Sequence, residues 1–256
     1  MMALVTGSAT RAGEDAGNDL AEALAPAALA LARRFAGGAT LWCVAPEWPG
    51  HARHVAVEFV HPVIVGTRAL PAVSVEATDA VATLRLLARP GDVLMTVATA
   101  GEPVTSDLLA RADAWGLTTV CIGCGPRPSP GTVLGPADHV VWLADADPAV
   151  VARSGDLVLL YHLLWELTHV VFEHPGLLAP EPAPCTDEVC VTCSDEGRVA
   201  EVHAVLPDGH VEVLAGGRTE RVDARLLGDV VPGDLLLVHA GVAVTSLPAP
   251  ARKTVP

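Results

Sequence analysis

The chain has 256 residues, 51% hydrophobic and 18% charged, enough apolar material for a packed core and too much for a disordered chain. Its net charge of −14 comes without any basic patch, which argues against nucleic acid and favours a cation or a basic surface as partner. No charged-then-apolar leader opens it, and the most lipid-like stretch, LVLLYHLLWELTHVVF (157–172), is too short and too polar to span a bilayer. A cytoplasmic protein without membrane contact is therefore expected. Thiols stay reduced in that compartment, so clustered cysteines there mean metal or redox chemistry more often than disulfides.

In chain order, the first 178 residues alternate helical and strand-like patterns. ALALARRFA (28–36) is helical, and TLWCVA (40–45) is a short apolar run that suits a buried parallel strand. HARHVAVEFV (51–60) is helical, ALPAVSV (69–75) strand-like and ATLRLLA (82–88) helical. DVLMTVA (92–98) is the third strand, TSDLLARADAW (105–115) the next helix, and Trp115–Gly116 its stop. TTVCIG (118–123) and HVVWLA (139–144) complete five strands, and a long helix covers 156–173. Strands separated by helices predict an α/β fold, a doubly wound parallel five-stranded sheet covered on both faces.

APEPAPC (179–185) breaks the pattern, because three closely spaced prolines cannot continue a helix. A linker is expected over 179–187. Beyond it, GRVAEVHAVL (197–206), HVEVLA (210–215), RTERVDA (218–224) and DLLLVHAGVAVTSL (234–247) are strand-like, with PDG, GG and PG turns between them. So many short strands in about sixty residues predict a small β-barrel over 188–247, followed by a disordered tail, 248–256.

CTDEVCVTC (185–193) places Cys185, Cys190 and Cys193 within nine positions. By itself a CxxC pair is half a zinc site, a two-thiolate ligand or a redox pair. A thioredoxin-like pair would be followed by a helix, whereas TCSDEGRV reads as a turn and then a strand. A lone histidine on an apolar strand, such as His239, is ordinarily a satisfied core residue.

The run VVPGDLLLVHAGVAV (230–244), with a cysteine some fifty residues upstream, resembles the HypC/HupF family of hydrogenase maturation chaperones, small barrels ending in a PGD…VHxG pattern. The resemblance covers 189–247 and implies an OB-like barrel. It also implies that Cys190 and His239 are the ligands of an iron fragment carrying CO and cyanide. A thiolate is a strong soft donor for such iron, and an imidazole an exchangeable one. In that family the cysteine follows the initiator Met; here it is internal, so any role for a free N-terminus is lost. Cys193, where relatives have an aliphatic residue, could add a second thiolate, and Cys185 has no counterpart.

TLWCVAPEWPG followed by HARHVAVEF (51–59) resembles the SIS domain of phosphoheptose isomerases, distantly, over about 25–175. The resemblance implies a five-stranded parallel sheet, dimers or tetramers, and a functional role for His54 and Glu58, four apart on one helix face. A histidine of the last long helix completes the family's site, and His162 matches it best. Glu166 and His169 extend the same stripe, so these five residues are expected to converge on a divalent metal or, alternatively, to form helix-face ion pairs and subunit contacts. The family's phosphate-binding loops read here as APEWPG (45–50) and ATAGEP (98–103). Glycine amides and serine hydroxyls are gone, prolines lack N–H groups, and Glu102 would repel a phosphate. Sugar-phosphate isomerisation is not expected. EFVHPVIVG (58–66) and FEHPGLL (172–178) read as dimer interface.

The expectation is an accessory metallochaperone of [NiFe] hydrogenase maturation rather than an enzyme, homodimeric through its α/β domain. By resemblance its partners are a HypD-type iron–sulfur scaffold protein and the hydrogenase large-subunit precursor. The alternative is a metal-dependent enzyme or a protein binding a small carbohydrate derivative through the α/β domain.

Overall fold

The computed structural model describes residues 8–62, 64, 66–126, 137–144, 146–178 and 197–247. Up to residue 178 the elements are α1 (Ser8–Ala36), β1 (Leu41–Val44), α2 (Pro49–Val60), β2 (Ala72–Ser74), α3 (Ala80–Leu87), β3 (Val93–Thr99), α4 (Pro103–Ala112), β4 (Thr118–Gly125), β5 (His139–Ala144), α5 (Pro148–Ser154) and α6 (Asp156–Glu173). The five strands pair in parallel in the order β2-β1-β3-β4-β5. Parallel neighbours need crossovers, and the helices that supply them cover both faces, so β4 is buried along its whole length.

On one face Phe35 of α1, Phe59 of α2 and Leu160 and Leu164 of α6 pack on Leu41, Met95 and Ile122 of the sheet. On the other, Leu84 of α3, Leu108 and Leu109 of α4 and Trp115 pack on Trp42, Leu94 and Trp142. Asp92, buried just before β3, accepts from Thr40 N (2.8 Å), Trp42 Nε1 (2.9 Å) and Arg89 N (2.9 Å), which joins the starts of β1 and β3.

Two helices end alike. The backbone N–H of His61 after α2 and of His174 after α6 returns to Val57 O and Val171 O, and a proline follows each histidine. A residue before proline is forced out of helical conformation, so both His-Pro pairs are helix stops. Phe59 is fully buried, so the first His-Pro stretch belongs partly to the core; among its described residues Ile64 presents large exposed apolar surface, next to Val57 just before it. The expected helix at 28–36 is the last third of α1, which runs through Pro26. The unexpected α5 is separated from α6 by Gly155, left-handed at φ 80°.

After the described chain resumes at residue 197, β6 (Arg198–Val205), β7 (His210–Ala215), β8 (Arg218–Asp223), β9 (Leu235–His239) and β10 (Val242–Leu247) close as a barrel in the order β10-β8-β7-β6-β9. Closure rests on a single parallel pair, Val242 with Asp223, and on the antiparallel β9–β10 hairpin. β7 alternates strictly between buried and half-exposed positions, which fills the barrel with Val211, Val213 and Ala215. The stretch 234–247, expected as one strand-like run, is two strands. Ala240 (φ 49°) and Gly241 (φ 79°) form the two-residue turn between them, and such turns need positive φ at both positions. The expected linker and tail, 179–187 and 248–256, lie outside the described residues.

The barrel is fastened to the α3–α4 side of the sheet. Ala200 and Val202 face the barrel core, so Glu201 between them faces outward, yet it is only 4% exposed because the α/β domain covers it. Its carboxylate accepts from Arg111 Nη1 (3.0 Å), Trp115 Nε1 (2.5 Å) and Arg85. Arg111 also donates to Gly233 O (2.9 Å), so the PGD turn, 232–234, is part of the seam. Gly217 N donates to Ala114 O, and a Cβ on Gly217 would stand 2.3 Å from the Pro90 ring.

Candidate functional site

α2 leaves the sheet after β1 with Pro49 in its first turn and no side-chain cap, and it lies against α6 on the same face of the sheet. Ala52, Val55, Ala56 and Phe59 bury one stripe of α2. His54 and Glu58, one turn apart, fall at the edge of that stripe and look toward α6. There His162 meets them: Glu58 Oε1 is 3.2 Å from His54 Nε2 and 3.3 Å from His162 Nε2. The imidazole rings of His54 and His162 are edge to face at 5.2 Å. One ligand atom from each of the three residues lies within 4.8 Å of the others. The side chains of His54 and His162 are 40% and 37% exposed, and that of Glu58 16%, so the cluster opens to solvent on one side. Two imidazoles and a carboxylate with an open side are donor types that a divalent cation such as zinc accepts.

Glu166 and His169 do not join this cluster. They lie one and two turns further along the same face of α6 as His162, but neither belongs to the set of ligand atoms that lie within 4.8 Å of one another. His169 is engaged elsewhere, Nε2 at 3.0 Å from Arg68 O and Nδ1 at 2.9 Å from Trp165 O. Glu166 lines an open depression of about 530 Å³ with Arg68, Trp165, His169 and Phe172.

Behind the triad stands Tyr161, 1% exposed, with its hydroxyl 2.8 Å from His54 Nδ1 and 3.4 Å from His51 Nδ1. Burial and the Glu58 carboxylate push its pKa up to about 12, so the phenol stays protonated. His51 is held below the ordinary imidazole value by burial and by His54. Sequence reading missed both residues. The signals were the chain's single tyrosine beside His162 and a histidine three residues before His54.

In an open sheet of order 2-1-3-4-5, ligands bind outside the carboxyl ends of the strands, where β1 and β3 diverge. Among the described residues, donors of Thr99, Val104, Thr105 and Ala149 there are met by the protein's own carboxylates. Glu47 Oε2 accepts from Thr99 N (2.9 Å) and Thr99 Oγ1 (2.8 Å). Glu102 caps α4, accepting from Val104 N (3.2 Å) and Thr105 N (2.7 Å), and Asp147 caps α5 through Ala149 N (2.8 Å). Cys124, at the end of β4, has its thiol raised by burial and by the Glu47 and Asp147 carboxylates. Glu102 is therefore more than a repulsive charge, because it occupies the helix N-terminus that an anion would use.

In the barrel, His239 is the last residue of β9 and pairs with Val242 across the hairpin. Arg198 pairs with Val238, so β6 begins beside the strand end that carries His239. Cys185, Cys190 and Cys193 lie outside the described residues. Cys43, Cys121 and Cys124 are buried with free thiols; burial drives the Cys43 thiol far up and the Cys121 thiol to about 11, so neither supplies a thiolate near neutral pH.

Residues 196–254 match the model of the HupF/HypC family. A comparison with curated proteins finds no match. Among solved structures, the phosphoheptose isomerase GmhA from Neisseria gonorrhoeae is similar at 18% identity, covering 62% of this chain and 91% of that one, with a TM-score of 0.49. A phosphoheptose isomerase from Francisella tularensis is similar at 16% identity over 64% of this chain and 95% of that one (TM-score 0.45). The Vibrio vulnificus NanR protein complexed with ManNAc-6P is similar at 16% identity over 67% and 65% (TM-score 0.40).

Proposed function

We propose that the chain is an accessory protein of [NiFe] hydrogenase maturation, whose barrel holds or hands over the iron fragment carrying CO and cyanide. The match of residues 196–254 to the HupF/HypC family carries this reading. Cys190 is the thiolate ligand, Cys193 assists, and His239 is the exchangeable imidazole. Covalent geometry supports the set: β6 starts beside the strand end that carries His239, and Cys193 and Cys190 precede Arg198 by five and eight residues. That is at most about 18 and 29 Å of chain. The partners are a HypD-type iron–sulfur scaffold protein and the hydrogenase large-subunit precursor. The chain acts in the cytoplasm as a carrier, not a catalyst. It is a homodimer through the α/β domain, where Val57 of α2 and Leu159 and Val170 of α6 are exposed. Complementation of a strain lacking the chain tests the assignment. Cys190→Ala abolishes hydrogenase activity while the protein stays folded, Cys193→Ala has a mild effect, and His54→Ala leaves maturation nearly unchanged. Full activity of Cys190→Ala sinks the reading.

A second reading is favoured by the His54–Glu58–His162 cluster: the α/β domain binds a divalent cation and, beside it, a small uncharged polyol-like ligand. Glu47 and Glu102, which take up the donors a phosphate would use, support a ligand without phosphate. Zinc titration of the full chain tests it. Micromolar or tighter binding that is lost in Glu58→Ala supports the site, and equal binding by the variant removes it.

A further inference from the structure

We propose that Tyr161 is a positioning residue of the His54–Glu58–His162 site, its hydroxyl alternating as hydrogen-bond donor to His54 and acceptor from it, with His51 as the second terminus. This rests on the second reading, that the three residues hold a divalent cation.

A carboxylate only accepts hydrogen bonds. With Glu58 Oε1 at 3.2 Å from His54 Nε2 and 3.3 Å from His162 Nε2, both Nε2 atoms carry their hydrogens in the ion-free protein. In the neutral imidazole His54 Nδ1 is then bare and accepts from the Tyr161 hydroxyl 2.8 Å away. A cation at the cluster needs the Nε2 lone pair, so the hydrogen of His54 must move to Nδ1. The group facing Nδ1 is still the Tyr161 oxygen, which now has to accept. Its own hydrogen must turn to another acceptor, and His51 Nδ1 stands 3.4 Å from the same oxygen.

The geometry favours a hydroxyl in this role. A carbonyl at Tyr161 could serve only the ion-bound state, and an N–H donor only the ion-free one. A phenol serves both, and no heavy atom has to leave its place. Packing fixes the phenol: Tyr161 is 1% exposed, and its ring is edge to face with those of His51 (5.9 Å), His54 (5.2 Å) and His162 (5.4 Å). Loss of such an outer hydrogen bond typically weakens metal binding by about 10- to 100-fold.

The test is a zinc titration of the full chain at neutral pH with Tyr161→Phe, which keeps the buried ring, and with two His51 variants. Tyr161→Phe binds zinc about 10- to 100-fold more weakly than wild type with an unchanged melting temperature. His51→Gln, whose amide oxygen still accepts, stays within about twofold, whereas His51→Leu is weaker by several-fold. Nitrogen-15 NMR of the His54 ring supplies a readout that packing alone would not move: on zinc binding the hydrogen passes from Nε2 to Nδ1 in wild type. Equal zinc affinity of wild type and Tyr161→Phe, or no tautomer change in zinc-loaded wild type, overturns the role of Tyr161 while the cation site stands. Failure of wild type to bind zinc overturns the cation site and this inference with it.

Discussion

Asp92 gathers three donors at the start of β3, and removing it leaves the buried Trp42 Nε1 and two part-buried backbone N–H groups without their partner. An orphaned buried donor costs about 1–3 kcal/mol, so Asp92→Ala should destabilise the α/β domain by about 3 kcal/mol or more, read as a lower urea midpoint. Ala240 poses the opposite case. It holds φ 49° in the β9–β10 turn, where a Cβ is strained by about 1 kcal/mol, so Ala240→Gly should raise the melting temperature rather than lower it. His139 of β5 is held below the ordinary imidazole value by burial, which outweighs the nearby Asp138 carboxylate. The unfolded chain takes up this proton near pH 6.5 and the folded one only at lower pH. Its contribution to stability is therefore complete above about pH 6.5 and lost as pH falls below it. Melting temperatures between pH 7.5 and 5.5 should decline, and His139→Gln should flatten part of that decline.

At the scale of elements, the three central strands were legible because strands buried on both faces are unbroken apolar runs, as in TTVCIG, and the edge strands β2 and β5 because they carry shorter apolar runs between helical patterns. Edges were less legible. α1 extends far upstream of its apolar run, and α5 was missed because seven residues carry too little periodicity. The His54–Glu58 pair could be read from one turn of helical spacing. Its meeting with His162 rested on resemblance, since sequence periodicity does not report which helices touch. The same stripe suggested Glu166 and His169, but the first lines a depression that the triad does not line and the second is bonded to the Arg68 and Trp165 carbonyls. Tyr161 and His51 escaped because their role lies in a contact across two helices rather than in spacing. The β7–β8 hairpin is another contact that spacing does not announce. Gly217→Ala should push the turn off Pro90 and lower the melting temperature, while Gly228→Ala, whose Cβ meets nothing within 4 Å, should leave it unchanged.

For the whole molecule, the seam decides whether the two parts behave as one. Glu201 is an outward-facing strand residue that sequence alone would assign to solvent; it is buried because Arg85, Arg111 and Trp115 close over it. Breaking a buried pair by removing one partner costs about 3–5 kcal/mol, since Arg111 would keep its charge without the barrel carboxylate. Glu201→Ala should split a single thermal transition into two, the barrel melting first, and a single unshifted transition would argue against coupling through this residue. The seam takes up Glu201 and the PGD turn, whereas His239 lies at the far end of β9 from that turn, in the hairpin with β10. A barrel fastened in this way can hold cargo at the hairpin while the α/β domain travels with it. The central assignment is tested most directly by an infrared spectrum, with iron analysis, of protein purified without oxygen from cells expressing the hydrogenase maturation genes. Bands from iron-bound CO and cyanide, absent from Cys190→Ala, are the predicted result; a spectrum without them, from protein without iron, would contradict the carrier role.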